Sequence, residues 1–364
     1  MHDSNDGRVW WQLMEVVFLN SRNLSVLDYG QTNDQYTIIL DNVVPQSSSF
    51  QVNKESVNAN IGDYLIIKDK RVNYIGIITS IDIKDHITEI KTKDFISILD
   101  LKVKLTSYSG NLSVYLLNII KSAFSTNADS IQNLPYLTIS RDDEVVNGAL
   151  TFEADTIDSI SSVISTLNKA YSIGVSYRIV YANGAISAID LHISKCKRGM
   201  ILKSNLACIS NLVVSDNNTQ AINKVIFYPK DENTSYRNTI SYYLLNDGSI
   251  STDSTSSKRI NPVLSSAKTY ADKDYSSLYT TAQSEMLSSS LEHSITFNYL
   301  VENGVAALFK DLHIGDFIEF VTPKKKYQTM ITKITFKGNL HTAEVTLGEY
   351  RVSLTEKMKL LSKK

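Results

Sequence analysis

The sequence has few cysteines and prolines, almost no net charge and no long apolar run. Its 364 residues include two cysteines, Cys196 and Cys208, and five prolines. Two cysteines cannot form a disulfide framework, so two free thiols are expected. The formal net charge of −1 gives no electrostatic reason to expect binding to nucleic acid or an anionic membrane. No apolar run approaches the roughly 20 residues that a membrane-spanning helix needs.

Motifs of the common enzyme classes are also missing. The six histidines are scattered, none lies in an HExxH pattern, and the two cysteines are not at zinc-ligand spacing from each other. No GxSxG, phosphate-binding loop or GxGxxG occurs. The turn RDDEVV, from Arg141 to Val146, gathers three acids, but three acids in a turn are more often solvated than bound to a cation. We therefore expect no catalytic residues, no metal and no cofactor.

What the sequence does contain favours strands. It has 20 tyrosines and many β-branched residues, which suit pleated sheets and large contact surfaces. Its length exceeds the size at which a single core keeps growing, so two to four domains are expected.

One phrase is written twice. IGDYLIIKDKRVNYIGIITSIDIK occupies residues 61–84, and IGDFIEFVTPKKKYQTMITKITFK occupies residues 314–337. A second match follows after a two-residue lengthening, TEIKTKDFISIL against AEVTLGEYRVSL. Besides the closing lysines, the identical positions are Ile61 and Ile314, Gly62 and Gly315, Asp63 and Asp316, Tyr74 and Tyr327, Ile78 and Ile331, Thr79 and Thr332, and Ile81 and Ile334. A gap-free match with a second block is unlike a chance recurrence and predicts two versions of one β domain.

The repeated Ile-Gly-Asp has a structural explanation. The glycine suits a tight turn that a side chain would hinder, and the aspartate can accept hydrogen bonds from nearby backbone amides. The isoleucine before the glycine is expected to fill the core. We interpret Asp63 and Asp316 as structural rather than catalytic.

The pattern along the chain predicts an α+β, mainly β protein. Short strands separated by turn-prone residues follow an N-terminal arm, and a 3.6-residue period then appears in NLSVYLLNIIKSAF. A second helix is predicted to begin at Asp155 or Thr156 and to stop at Gly174, before a hairpin at Asn183-Gly184. A third helix is predicted from about Pro262 to Leu291. The predicted parts are an arm (1–13), a first tube-type β-barrel (14–106), an α+β domain (107–204), a second tube-type β-barrel (205–229 and 294–356), a loop-helix insertion in it (230–293) and a C-terminal tail (357–364).

Two β domains with the IGD and Y-x-x-x-I-T-x-I motifs, a helix-containing domain between them, and the ending EVTLGEYRVSLTEK resemble a family of phage tail hubs. These are the tail-associated-lysin or prophage tail-endopeptidase type hubs, related to the trimeric central hub of contractile baseplates. The resemblance covers about residues 14–356. It implies a homotrimer whose two barrels per chain form a pseudo-hexameric ring beneath the distal tail protein or tail tube ring. It also implies a channel for the tape measure protein and for DNA, which passes without sequence recognition.

The resemblance assigns a role to the repeated strands. Tyr74–Ile83 and Tyr327–Phe336 are expected to form the ring, and the implied location is the virion tail tip or baseplate. Many family members continue into a C-terminal peptidase, glycosidase or fibre. This chain ends at Lys364, so the enzymatic activity of those family members is not carried over to it. The insertion breaks the pseudo-six-fold symmetry and is a candidate docking site for receptor-binding or peripheral baseplate proteins.

Three alternatives stay open at this stage. The chain is a hub that joins the hexameric tube to a three-fold tip and forms or gates the ejection channel, or a tail-associated cell-wall hydrolase, or a module that binds a host-surface glycan. A phage-derived tailocin would use the same hub. The basic run Lys324, Lys325 and Lys326 is interpreted as a solvated loop tip, with a partner contact as the alternative and DNA binding a weaker one.

Overall fold

A computed structural model describes residues 13–41, 46–150, 152, 155–216, 222–230, 238–246, 249–261, 263–290, 293–303 and 305–348. Nearly all of the predicted arm, all of the predicted tail and the end of the second barrel lie outside these residues. The chain divides into two compact units. The first contains the described residues up to Asn211 together with Phe297–Val345, and the second contains Leu212–Thr296 and the described residues from Thr346. The mainly β fold class predicted from the sequence is confirmed.

Strands dominate the first 150 residues. They are β1 (Met14–Leu19), β2 (Val26–Thr32), β3 (Thr37–Asp41), β4 (Ser47–Val52), β5 (Tyr64–Ile67), β6 (Ile75–Lys84), β7 (Ile87–Asp94), β8 (Lys102–Lys104), β9 (Tyr108–Asn111), β10 (Leu137–Arg141) and β11 (Asn147–Leu150). The order β4-β2-β1-β5-β6-β7 closes on itself because β4 also pairs with β7. Over the paired parts of these strands, closure removes the exposed sheet edges that would otherwise template pairing. β3 lies outside this closed circuit.

Alternation of apolar and polar residues explains these strands. In β4, Ser48, Phe50 and Val52 are buried while the residues between them are exposed or partly exposed. β7 follows the same period of two, as expected for strands with one face on a core.

The α+β domain follows. Its elements are α1 (Leu112–Phe124), β12 (Ile157–Ser159), α2 (Ile160–Tyr171), β13 (Ile173–Ala182) and β14 (Ala185–Lys195), with sheet order β10-β14-β13. The hairpin turns at Asn183 and Gly184, whose φ values of 51° and 77° are both positive, as a two-residue type I′ turn requires.

The predicted ends of α2 were wrong. Its N-cap is Ser159, whose hydroxyl accepts the backbone N–H of Ser162 at 3.2 Å. Asp155 instead has a left-handed φ of 60° and lies before β12. The helix ends at Tyr171, and Ser172 caps it in the left-handed conformation expected of a glycine.

The first barrel and the α+β domain share one core, although they were predicted as separate domains. Val17, Phe95, Leu116, Ile164 and Leu191 belong to one buried cluster. The backbone N–H of Ile75 also donates to the Tyr177 hydroxyl at 3.1 Å. The boundary predicted at residue 106 therefore marks a change from strand to helix patterns in the sequence, and the packing is continuous across it.

The second β domain is built from distant segments. Its strands are β15 (Arg198–Lys203), β16 (Ile209–Asp216), β21 (His293–Leu300), β22 (Phe317–Val321), β23 (Lys326–Lys337) and β24 (Thr342–Leu347). Their order is β15-β22-β23-β24-β21-β16. β16 and β21 cross the boundary between the two units.

The second unit has its own sheet and core. It contains β17 (Lys224–Pro229), β18 (Ile240–Leu244), β19 (Ile250–Ser251), β20 (Ser265–Tyr270) and α3 (Leu278–Ser290), with order β19-β18-β17-β20. Phe227, Leu244, Tyr270, Leu278 and Met286 belong to its buried cluster.

Two predictions for this region were wrong. Residues 224–229 were assigned to the second barrel, but β17 lies in the four-stranded sheet. The helix predicted from Pro262 to Leu291 is interrupted, because β20 pairs in parallel with β17 before the chain turns into α3. Burial of Tyr270 against this sheet overrides the weak helical stripe of the sequence. No helix in the described ranges is both long and apolar enough to cross a membrane.

Candidate assembly interface

The two Ile-Gly-Asp turns have the same backbone geometry. Gly62 and Gly315 have φ values of 95° and 89°, which L side chains rarely adopt. The N–H of Gly62 donates to the Ile78 carbonyl at 2.9 Å, and that of Gly315 donates to the Ile331 carbonyl at 2.8 Å. In both copies the turn is thus hydrogen-bonded to the long strand of the repeated phrase, which is β6 in the first copy and β23 in the second.

Asp63 stabilises the first turn through its buried carboxylate. One oxygen accepts the N–H of Asn60 at 2.9 Å, and the other accepts the N–H of Ser21 at 3.0 Å. The first bond closes the turn locally, and the second fixes it to the segment that follows β1.

Asp316 repeats this arrangement in the second copy. Its two oxygens accept the N–H of His313 at 2.8 Å and the N–H of Lys197 at 2.9 Å. Both aspartates are at least nine-tenths buried, and each is occupied by backbone donors. The geometry gives both aspartates a structural task.

The strand beside each turn runs in opposite directions in the two copies. β1 pairs antiparallel with β5, whereas β15 pairs in parallel with β22. Accordingly, Ser21 follows β1, and Lys197 precedes β15. The two copies therefore have the same turn and hairpin, but the neighbouring strand runs towards the turn in the first copy and away from it in the second.

The isoleucine before each glycine does not fill the core as predicted. Ile61 is 72% exposed, and Ile314 is partly exposed. The positive φ of the following glycine turns the chain at the surface, so this side chain leaves the barrel interior.

Most of the other repeated side chains are buried. Tyr74, Ile78, Tyr327 and Ile331 lie in the interior, and the Tyr74 hydroxyl lies 2.6 Å from that of Thr92. Burial raises the pKa of Tyr74 above its ordinary value. These residues hold the strands in register.

β3 joins the first copy to the second. It leaves the first barrel and pairs antiparallel with the far half of β23, with Ile39 opposite Thr335 and Lys337 opposite Thr37. Ile38 and Phe336 lie opposite each other and both are fully buried. We call this β3–β23 pairing the seam, and it makes one continuous sheet from both β domains.

Side chains reinforce the seam at one end. Asp69 binds the Arg71 guanidinium through bonds of 2.9 and 2.5 Å, and Arg71 also donates to His341 Nε2 at 2.7 Å. Asp69 and Arg71 belong to the first copy, and His341 lies between β23 and β24. Hydrogen bonding to this guanidinium lowers the pKa of Asp69.

A glycine permits close backbone approach nearby. Gly338 has a φ of 69°, and its N–H donates to the Tyr36 carbonyl at 3.1 Å. A Cβ at this position would lie 2.9 Å from the carbonyl oxygen of Asp34. The seam therefore depends on glycine where the two backbones meet.

The equivalent edge in the first copy is open. The pairing of β5 with β6 ends at Ile77, and beyond it β6 pairs with β7 on its other side only, among the strands that the structure describes. The consequence shows in burial. Ile83 is 63% exposed, whereas Phe336, its counterpart in the repeat, is fully buried. We call residues Ser80–Lys84 the open edge.

The remaining residues that the sequence analysis assigned to a ring follow the same division. Thr79 is exposed and Ile81 is partly exposed, whereas their counterparts Thr332 and Ile334 are buried. Identical sequence thus has different surroundings in the two copies, because a strand covers only one of them.

The basic run lies at a hairpin tip. Lys324 and Lys325 connect β22 to β23, and all three lysines are exposed. Lys325 Nζ lies 4.7 Å from the centre of the Tyr327 ring, and Lys326 pairs with Glu319 at 3.2 Å. Contacts within the same hairpin thus account for two of the three lysines.

Other candidate chemistry is accounted for locally. In the acidic turn, Asp142 lies 3.1 Å from His192, and Glu144 pairs with Lys195. Cys196 and Cys208 are buried and form no disulfide with each other. Within the described residues, no group of three or more histidine, cysteine or acidic side chains is arranged to hold a metal.

Sequence reasoning missed the seam. β3 was recognised as part of a strand, but nothing in TIILD specifies which distant strand it pairs with. A usable signal was the absence of an acid from the second copy at the seam, where Thr335 replaces Asp82.

Comparison with solved structures gives the fold a counterpart. A prophage tail protein of Listeria monocytogenes matches with a TM-score of 0.53 and 13% identity, over 96% of this chain and 98% of that one. The 43-kDa tail protein of prophage MuSo2 from Shewanella oneidensis matches with a TM-score of 0.55 and 11% identity, over 92% and 98%. This chain has the fold of phage tail proteins.

The same fold occurs in an assembled baseplate. A chain of the phage P2 baseplate in its activated conformation with Ca matches with a TM-score of 0.52 and 12% identity, over 92% of this chain and 98% of that one. No protein-family model and no curated protein sequence matches. The repeated phrase implied a phage tail fold, and the comparison finds that fold. At identities of 11–13% the similarity concerns the fold alone.

Proposed function

We propose that this protein is a structural component of a phage-type tail, located at the tail tip or baseplate, where it acts as a homotrimeric hub. Three chains would contribute six similar β domains to one ring. Such a ring matches a hexameric tail tube, while the rest of each chain follows three-fold symmetry.

The observation that carries this proposal is the seam. Two similar domains in one chain are joined by strand pairing, and the equivalent edge of the first domain is left open. A heterologous contact of this kind makes a closed ring if its rotation closes. The similarity to prophage tail proteins and to a baseplate chain supports a place in a tail.

The partners follow from this position. The ring would stack on the distal tail protein or the last ring of the tail tube, and its channel would pass the tape measure protein and DNA. The second unit, with its own core, is the candidate platform for receptor-binding or peripheral baseplate proteins.

The proposal includes the absence of catalysis. The repeated aspartates are occupied by backbone donors, and two of the three acids of the turn after β10, Asp142 and Glu144, lie beside His192 and Lys195. A cell-wall hydrolase would need an acid and a base or nucleophile converging on one cleft. Release of muropeptides from peptidoglycan by the purified chain would contradict this part of the proposal.

The deciding experiment is the mass of the purified chain in solution followed by particle averaging. We expect three times the 40.8 kDa of the chain and a three-fold ring with a central hole of tube width. Each interface between chains should bury on the order of 2,000 Å² if the trimer is obligate. A compact monomer at all concentrations would refute the hub.

A further inference from the structure

The chain contains a second strand that resembles β3. Residues 37–42 read TIILDN, and residues 212–217 read LVVSDN. Both segments precede the strand that leads into an Ile-Gly-Asp phrase, which is β4 in the first copy and β21 in the second. Leu212–Asp216 is thus the counterpart of β3 in the second β domain.

The burial of the two segments differs. Ile38 is fully buried in the seam, whereas Val213, its counterpart, is 58% exposed. Val214 is 37% exposed. β16, which contains this segment, is the last strand of its sheet and is bonded to β21 on one side only, among the described strands. We call Leu212–Asp216 the terminal segment.

The seam consists of a five-residue strand, Thr37–Asp41, paired with a five-residue edge, Lys333–Lys337. The chain contains a second segment like each of these, and neither is paired with a strand on that side among the described residues. The open edge, Ser80–Lys84, is the counterpart of Lys333–Lys337. The terminal segment is the counterpart of Thr37–Asp41. Exposed apolar side chains on unpaired strand edges template pairing with another chain.

We propose that the terminal segment of one chain pairs antiparallel with the open edge of the next chain, so that the seam is repeated between chains. This inference rests on the proposed trimer and specifies its joint. The register follows from the seam, in which Thr335 faces Ile39 and Phe336 faces Ile38. Asp82 then faces Val214, and Ile83 packs against Val213.

The geometry makes the contact directional. Each chain has one open edge and one terminal segment, so each contact uses a different surface on each of the two chains. Three such joints alternating with three seams give six equivalent junctions, and a ring that closes leaves neither part exposed.

Cysteine cross-linking in the full-length chain tests the register. Asp82→Cys combined with Val214→Cys places two thiols opposite each other. Under mild oxidation or with a short bismaleimide, we expect linked dimers and trimers on a denaturing gel and no larger species. The two single variants control for the native Cys196 and Cys208, which are buried, and should give neither band.

A second pair provides the matched control. Lys84→Cys with Asp216→Cys uses the two ends of the same segments, which an antiparallel register separates by four residues, about 13 Å. This pair would link only in a parallel register. Linking of this pair instead of the first would overturn the proposed register.

A loss-of-assembly variant gives an independent measurement. Ile83→Glu places a charge where Val213 is to pack and should raise the concentration needed for trimer formation by on the order of tenfold or more. Ile131→Glu changes another exposed isoleucine, 86% exposed, and should leave the mass unchanged. Circular dichroism would verify that both variants fold.

The outcomes separate the joint from the hub. A trimer in which the first cysteine pair does not link and Ile83→Glu has no effect overturns the joint and leaves the proposed function intact. A monomer without cross-links at every concentration overturns both.

Discussion

At the residue scale, each of the two repeated aspartates accepts two backbone N–H groups and so stabilises its turn in the same way. Replacing either Asp63 or Asp316 by alanine leaves two backbone N–H groups without their acceptor. We expect each variant to lose about 1–3 kcal/mol of unfolding free energy, as measured by urea denaturation. Asp143→Ala, an exposed acid of the turn after β10, should change it by less than about 0.5 kcal/mol. Unchanged stability of the first two variants would contradict the role assigned to the turns.

Asp94 predicts a pH dependence of stability. Its carboxylate accepts the N–H of Ile96 at 3.2 Å, and burial raises its pKa to about 7. The folded state therefore keeps a proton that the unfolded chain, with a pKa near 4, has already released. By linkage, this group makes stability fall as pH rises from about 4 to about 7.

Asp94→Asn isolates that contribution. Asparagine keeps an oxygen for the Ile96 N–H and cannot ionise. We expect the unfolding free energy of the native protein, relative to this variant, to decrease between pH 5 and pH 7.5 in chemical denaturation. A difference that stays constant or increases over this interval would show that the native carboxyl titrates in its ordinary range.

At the scale of single elements, the repeat provides a matched comparison. Phe336 and Ile83 occupy the same position of the phrase, but only Phe336 is covered by β3. Phe336→Ala should cost about 3–5 kcal/mol of unfolding free energy because it empties a buried site. Ile83→Ala, measured at a dilution at which the chain is monomeric, should cost less than about 0.5 kcal/mol. Equal losses would contradict the asymmetry of the two edges.

Sequence patterns predicted the elements better than their partners. Alternation identified strands such as β4 and β7, and the Asn183-Gly184 pair marked a hairpin, because these signals are local. The pairing of β3 with β23 left no such signal, since backbone hydrogen bonds between distant strands depend little on residue type. β20 was predicted as helix because Val263, Ala267 and Tyr270 form an imperfect apolar stripe at helical spacing. Its pairing with β17 decided the outcome.

The candidate interface was predictable to a similar degree. The repeated phrase identified the turns and strands from sequence alone, since identical residues at one spacing are visible without coordinates. Which of the two similar strands is covered was marked only by small differences such as Thr335 in place of Asp82, because Ile81 and Ile334 are the same residue in different surroundings.

At the scale of the whole molecule, the two compact units should respond separately to damage. Phe227 is fully buried in the core of the second unit. Phe227→Ala should accelerate hydrogen exchange in β17, β18 and β20, because local stability follows the buried contacts of each unit. Protection of β6 and β23 should stay unchanged. Equal acceleration in both units would show that they unfold as one.

The opposite strand directions beside the two turns have a consequence for the engineering of the chain. A domain that enters its barrel through an antiparallel strand cannot be exchanged for one that enters through a parallel strand without rerouting the connection. The two halves are therefore not interchangeable as they stand, and a tandem protein made from two first halves would need a different connection between them.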